Sequence, residues 1–303
     1  MPDNRPRDNR TIAAAIVTVL LWGTAFPAIR AALHYYTPGQ VALFRIVVGA
    51  VTLAIYTSIV RMPLPNRRDL PRLIAVALFG VTLYHGFLNY GLISVSSGPA
   101  SMLVNMAPVF TAIMAALFLG EVLTGRVIAG LACCMAGAAL IGLGEGKGLH
   151  FAPGAIFVVA AAFIWSLNIV FQKSLLARYS ALQVASASLW LGVIGLFVFA
   201  PGLVGAIRTA PLGVTLALVY TGIFPVGVVY ATWAYVLSRL PASKAASLLY
   251  LIPLVAGFVA WIALGERPGW LSIAGAAVVL VGVLAVNSRR KRPSEVSVEA
   301  PLP

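Results

Sequence analysis

Apolar runs of membrane length occur ten times along the chain, near 11–31, 39–60, 71–94, 99–119, 124–144, 153–173, 181–203, 212–237, 243–264 and 269–287. Short segments carrying most of the charge separate them. A helical span needs about 20 mainly apolar residues. Backbone left unpaired in hydrocarbon is too costly for open strands. The pattern therefore predicts an all-α membrane protein with ten transmembrane helices.

The pattern also repeats. Tyr36-Thr37-Pro38-Gly39-Gln40-Val41-Ala42 returns 143 residues later as Tyr179-Ser180-Ala181-Leu182-Gln183-Val184-Ala185, and Trp22 matches Trp165 at the same offset. Farther on, Tyr90, Pro108, Leu119-Gly120-Glu121 and Gly130 match Tyr235, Pro253, Leu264-Gly265-Glu266 and Gly275, now at an offset of 145. Each copy holds five spans, an odd number, so the copies must lie upside down relative to each other. The expected organisation is a tail at 1–10, a five-helix repeat at 11–147, an inverted five-helix repeat at 148–287 and a basic, disordered tail at 288–303. An inverted repeat in a membrane points to a transporter with its site near mid-membrane.

Composition agrees. With 61% hydrophobic residues, 10% charged residues and a mean hydropathy of +0.97, the chain is no soluble domain, whose charged share is about 25%. The first stretch follows Arg5, Arg7 and Arg10 and could pass for a signal peptide. Its match to the stretch around Trp165 argues that it is retained, because cleavage would leave the first copy one helix short. A net charge of +13 could suggest nucleic acid, but the basic residues sort by topology. With both ends in the cytoplasm, sixteen Lys and Arg fall inside, four outside (Arg30, Lys147, Arg208, Arg267) and one within a span. That is the positive-inside bias, so the expected partners are the bilayer and a small-molecule substrate, without nucleic acid. Oligomeric state is left open, and a monomer suffices. Cys133 and Cys134 read as small packing residues, and no metal or cofactor is expected.

Ten spans in two copies, Trp22-Gly23 in the first span, Phe44-Arg45 in the second, and Pro with Leu-Gly-Glu in both copies together resemble the EamA family of the drug/metabolite transporter superfamily. The resemblance covers about residues 11 to 287. Length and Tyr84-His85 with nearby aromatics make the chain look like the YddG-type exporters of aromatic amino acids and of aromatic cations. What this implies is alternating-access export through a central cavity between the repeats, in a bacterial-type cytoplasmic (inner) membrane, of aromatic or other neutral amino acids. An aromatic cation, a purine or a sugar derivative is the alternative cargo. The copies differ at Pro27/Val170, Arg45/Ser188 and Asn105/Tyr250, so the cavity is expected to be asymmetric in chemistry.

Several residues could carry transport. Pro108 and Pro253 break the two fourth-type helices, freeing carbonyls that suit a wet cavity or a simple kink, and Pro27 and Pro225 are further break candidates. Ser101, Asn105 and Pro108 share one helix face, as do Ser243, Ser247, Tyr250 and Pro253. Such stripes line cavities or glue helices together. Tyr84, His85, Leu88 and Asn89 form one face of the third span, with Tyr230 and Trp233 on its repeat partner. Interfacial Tyr and Trp often anchor lipid, but His85 and Asn89 need polar partners at depth, and His85 is the one candidate for proton coupling. In the first and sixth spans, Trp22, with Thr24 nearby, matches Trp165, with Asn168 and Gln172 nearby. The last three project together and could hold a flat ring between polar groups, or the Trp residues could simply pack the bundle.

Arg45 is the costliest residue, at about 2.5–3.5 kcal/mol for a mid-span Arg on insertion scales. It could neutralise a substrate carboxylate, bond to neighbouring carbonyls or snorkel. Because Ser188 stands in the second copy, a structural role is favoured. The acidic residues fall in tails or at span ends; Glu121 and Glu266 each follow a Gly that can close one helix, and read as caps for the next helix. An intramembrane enzyme would need a nucleophile and base or a metal set at depth, which one His and two adjacent Cys do not supply. A receptor would need a larger soluble output domain.

Overall fold

The computed structural model describes residues 9–107, 109–111, 113–114, 125–145, 152–176, 178–239 and 251–287. Pro108, Glu121, Ser247 and Tyr250 lie outside the described residues. All described elements are helical: α1 (Asn9–Ala32), α2 (Pro38–Ile59), α3 (Arg67–Gly91), α4 (Ser97–Val104), α5 (Gly125–Glu145), α6 (Gly154–Leu176), α7 (Ala181–Leu196), the short α8 (Leu203–Thr209), α9 (212–239), α10 (Ile252–Leu264) and α11 (Trp270–Asn287). Six helices are long and apolar enough to cross a membrane, and Leu212–Val228, Ile252–Leu264 and Trp270–Ala285 are shorter apolar helices. Large apolar side chains face outward, as at Ile16, Leu20, Ile194, Leu254, Phe258 and Trp261, while Thr18, Arg45, His85, Asn89, Ser166 and Asn168 are buried. Lipid is the solvent this surface fits.

Local chemistry starts the helices where the repeat predicts. Thr37 accepts from the Gln40 amide while the Gln40 side chain accepts from the Thr37 amide, a reciprocal box that starts α2, and Pro38 occupies the first turn. Ser180 and Gln183 build the same box for α7. Both glutamines then reach across the molecule. Gln40 Nε2 donates to the Pro201 carbonyl (3.1 Å), just after α7, and Gln183 Nε2 donates to the Pro63 carbonyl (2.9 Å), just after α2. Each helix start thus meets the far end of its counterpart, and α2 and α7 run antiparallel.

The main packing contacts respect the same exchange of halves. α1 packs on α9 and α10, and α6 on α3 and α4; α2 packs on α9 as α7 packs on α3. α5 and α11 form the most extensive pair. Their seam is built of small residues: a Cβ at Gly275 would lie 2.7 Å from the Gly137 carbonyl oxygen, and one at Gly282 2.7 Å from that of Gly130. Such close approach of backbones is how lipid-embedded helices gain dispersion contacts without a hydrophobic drive.

Two stretches differ from their apolar runs. The fourth run, 99–119, predicts one helix, yet α4 stops at Val104 and a turn occupies Asn105 and Met106 before helix resumes. A proline has no N–H to bond the carbonyl four residues earlier and disfavours helix there, so the proline that the sequence carries at 108 accounts for α4 ending at Val104. The seventh run, 181–203, ends early: α7 passes into a tight turn at Phe197–Phe199, and Gly202 at φ 76° redirects the chain into α8. Gly202 is where the chain leaves the right-handed region, and only Gly takes that left-handed conformation freely.

Candidate substrate site

The third helix of each half is not α-helical throughout. α3 widens to π-helix over Leu78–Leu83, and α9 does so over Gly222–Val228, around Pro225. A π turn carries one residue more than the ladder expects and is frequent at functional sites. Glycines admit these wide turns against their neighbours, Gly49 of α2 facing Val226 and its repeat counterpart Gly192 of α7 facing Val81. Immediately after the wide turns come Tyr84 and His85 on α3 and Tyr230 on α9. The widening re-aims these side chains toward the middle of the bundle.

There they meet α6. The Tyr84 ring lies 4.9 Å from Trp165 and 4.9 Å from His85. Trp165, Asn168 and Gln172 face a common cleft, as their spacing predicts, together with Val76, Gly80, Val81, Ala185, Ser188 and Tyr230. The cleft holds only about 20 Å³, roughly the room one water needs. Arg45 of α2, 4% exposed, lies within Coulombic reach of Tyr84, Tyr230 and His85. Helices from both halves therefore converge on one aromatic and polar cluster.

Its polar atoms are incompletely paired. Arg45 Nε, His85 Nδ1 and Asn168 Oδ1 are buried without a hydrogen-bond partner among the described residues. Buried polar groups normally find partners, so these atoms are the cluster's unmet demand. A larger void of about 260 Å³ lies between α2 and α7, lined by Val47, Ala50, Val51, Ala54, Trp190 and Val193. Its apolar lining, with no group to orient a polar solute, suits an acyl chain; the small polar cleft is the better site on chemistry.

The other candidates fall elsewhere. Trp22 donates to the Pro225 carbonyl (3.1 Å) and packs 5.6 Å from Trp233, while Thr24 bonds the Tyr220 hydroxyl (2.6 Å) and Thr18 bonds Thr232 (2.8 Å). These contacts stitch α1 to α9. Asn89 donates to the Pro38 carbonyl (3.1 Å); Ser101 bonds Gly98 within its own helix; Asn105 sits at the break, and neither Asn89 Oδ1 nor Asn105 Nδ2 has a partner among the described residues. Pro27 lies inside a continuous α1, and Pro253 in the first turn of α10.

Glu266 caps a helix other than the next one along the chain. Gly265, at φ 66°, closes α10 as expected, but the Glu266 carboxylate accepts from Ser97 N (2.8 Å) at the start of α4 and pairs with Arg30 Nε (2.7 Å) at the end of α1. Glu145, to which the sequence assigns no role, does likewise: it takes Ser96 N (2.8 Å), the Ser96 hydroxyl and Ser272 Oγ (2.8 Å). Two carboxylates thereby serve adjacent amides at one positive helix end and tie α1, α4, α5, α10 and α11 together. At the opposite face Asp69 accepts from Tyr179 OH (2.9 Å) and Arg178 Nη1 (3.2 Å), joining α3 to the connection between α6 and α7. Its mirrored position carries a neutral bond, Tyr36 OH to Thr215 Oγ1 (2.6 Å).

Comparison with known proteins follows the duplication. Residues 9–143 match the EamA-like transporter family, and residues 152–288 match it again. The chain belongs to the EamA-like transporter family. This EamA-like chain is 37% identical over 281 residues to a probable terminal-alkyne amino-acid exporter of Streptantibioticus cattleyicolor, covering 93% of this chain and 94% of that one. It is 36% identical to the uncharacterized transporter YdfC of Bacillus subtilis, covering 89% and 90%, and 25% identical to a probable amino-acid metabolite efflux pump of Escherichia coli, covering 89% and 92%. A solved crystal structure matches it at a TM-score of 0.57 and 23% identity, covering 91% of this chain and 96% of that one, a likeness of fold. The family and the transporter names of these relatives point to an integral membrane transporter rather than an enzyme.

Proposed function

We propose that this transporter exports amino acids, with a preference for those bearing a flat apolar side chain, by alternating access through a cavity between two inverted five-helix repeats. The cluster of Arg45, Tyr84, His85, Trp165, Asn168 and Tyr230 at the seam of the two halves carries the reading, because it offers ring faces and unpaired polar atoms together where repeat-built transporters bind their cargo. The antiparallel run of α2 and α7 and the mirrored packing support ten spans related by inversion. The charge sorting supports cytoplasmic ends in a bacterial-type inner membrane. A cleft of about 20 Å³ is too small for an amino acid, which suits a state closed to both faces, and rocking of one half against the other would open it to each side in turn. The names borne by the exporter at 37% identity and the efflux pump at 25% support the cargo class.

The test is uptake by proteoliposomes containing the purified chain, with labelled L-tryptophan, L-leucine and L-threonine offered singly against an empty-liposome control. Saturable flux of at least one is expected, with L-tryptophan preferred. Absence of flux for all three refutes amino-acid export.

A further inference from the structure

We infer that Arg45 is the receptor for the substrate carboxylate, so that the site accepts amino acids as zwitterions and rejects the corresponding amines and amides; this deepens, and rests on, the amino-acid reading above. A structural arginine at this depth would spread its donors over neighbouring carbonyls, and α9 packs closely on the backbone of α2 at this level, a Cβ at Gly222 lying 2.8 Å from the Arg45 carbonyl oxygen. Yet Arg45 Nε, fully shielded, bonds to nothing among the described residues. Nor does it have an ionic partner there. Asp69, Glu145 and Glu266 stand at helix ends, each engaged by hydroxyls, amides or an arginine of its own. A buried guanidinium without a counter-charge calls for an anion, and its planar fork matches a carboxylate.

The surroundings select which anion. One guanidinium balances one negative charge, as a carboxylate carries. The Tyr84 and Tyr230 hydroxyls within its electrostatic reach can add neutral donors. Tyr230 also borders the cleft that holds Asn168, whose unpaired Oδ1 can only accept. A ligand carrying an anionic acceptor at one end and an ammonium donor at the other meets both demands, while Trp165 and Tyr84 flank its side chain. The repeat explains the polarity of the site: the position equivalent to Arg45 is Ser188, which bonds its own helix at Val184. Among the described residues, Arg45 puts positive charge at one end of the cluster alone, so a zwitterion has one favoured orientation, and a cation is repelled.

The experiment needs no mutant at its first step. With wild-type proteoliposomes taking up labelled L-tryptophan, unlabelled L-tryptophan competes, whereas L-tryptophan amide and tryptamine compete about 30-fold less well or worse, the scale for removing one partner of a buried charge pair. Arg45→Gln then raises the KM for L-tryptophan by a similar factor and erases the preference for acid over amide, while Arg45→Lys keeps the preference. If the amide and the amine compete as well as the acid in the wild type, the proposal is overturned, whatever the variants do. It is equally overturned if a well-folded Arg45→Gln keeps the wild-type KM and preference. Wild-type protein that carries no amino acid overturns the export reading and this assignment together, which separates that failure from the other two.

Discussion

The seam between α5 and α11 yields a prediction whose sign can be set against an internal control. Replacing Gly275 by Ala places a methyl 2.7 Å from the Gly137 oxygen, 2.8 Å from the Ile141 amide nitrogen and 2.9 Å from Ile141 Cγ1. Two of these are backbone atoms that cannot rotate away. A carbon needs about 3.3 Å or more from a carbonyl oxygen, so the helices must part by roughly half an ångström along a seam that is otherwise in contact. Overpacking of this kind costs about 1–3 kcal/mol. Gly86, within α3, has nothing within 4 Å of its would-be Cβ, so Ala there adds helix propensity, about 0.8–1 kcal/mol. Reversible unfolding in mixed micelles, followed by tryptophan fluorescence, should therefore rank Gly86→Ala above wild type and Gly275→Ala below it, the two variants standing about 2–4 kcal/mol apart. A Gly275→Ala protein as stable as wild type would mean that α5 and α11 do not touch there, and the antiparallel seam would have to be redrawn.

Asp69→Asn removes the charge that Tyr179 and Arg178 share while keeping the size of the side chain. Because Arg178 is 60% exposed, the ionic part is screened, and unfolding should fall by at most about 1 kcal/mol; no change in either stability or the inward opening rate would show this bond to be idle. Trp165→Ala removes the ring that faces Tyr84 at 4.9 Å. It should weaken competition by L-tryptophan about three- to tenfold, the worth of an aromatic pair, and leave L-threonine nearly untouched, whereas an equal loss for both cargoes would deny Trp165 its part as a platform.

What could be read from residue order is what depends on residue order. Thr37 to Gln40 and Ser180 to Gln183 carry their own start signals, and the helices begin there. The spacing of Trp165, Asn168 and Gln172 puts them on one face, and that face lines the cleft. The π turns escaped because nothing in the order of Leu78–Leu83 marks them; a shift of the bonding ladder by one residue is decided by what packs beside it, here Gly192 against Val81. Glu145 and Glu266 were legible as helix-end acids, but their partners, Ser96 and Ser97, belong to a helix distant in sequence. Trp22 and Trp165 look alike in the repeat, yet only Trp22 finds a carbonyl to bond, that of Pro225. Arg45 marks the sharpest gap. Its expense is visible in the sequence, but that its Nε meets no partner among the described residues is a property of three dimensions.

The mirrored tyrosines have a consequence for how such a duplicated machine evolves. Tyr36 and Tyr179 descend from one position, yet Tyr36 bonds neutral Thr215 whereas Tyr179 bonds Asp69 in the company of Arg178 and Arg72. Arginines concentrated on one face direct insertion of the chain, and copies of them on the opposite face would confuse it. Orientation during synthesis thus works against fastening both faces with equal numbers of arginines. The face bearing Asp69 is held partly by screened charge and should loosen as ionic strength rises past physiological values, where the Debye length is about 8 Å. The face bearing Tyr36 has an ion pair of its own, Arg30 with Glu266 at 2.7 Å, but its arginine is only 24% exposed against 60% for Arg178, so salt is a handle that pulls harder on one side of the fold than on the other.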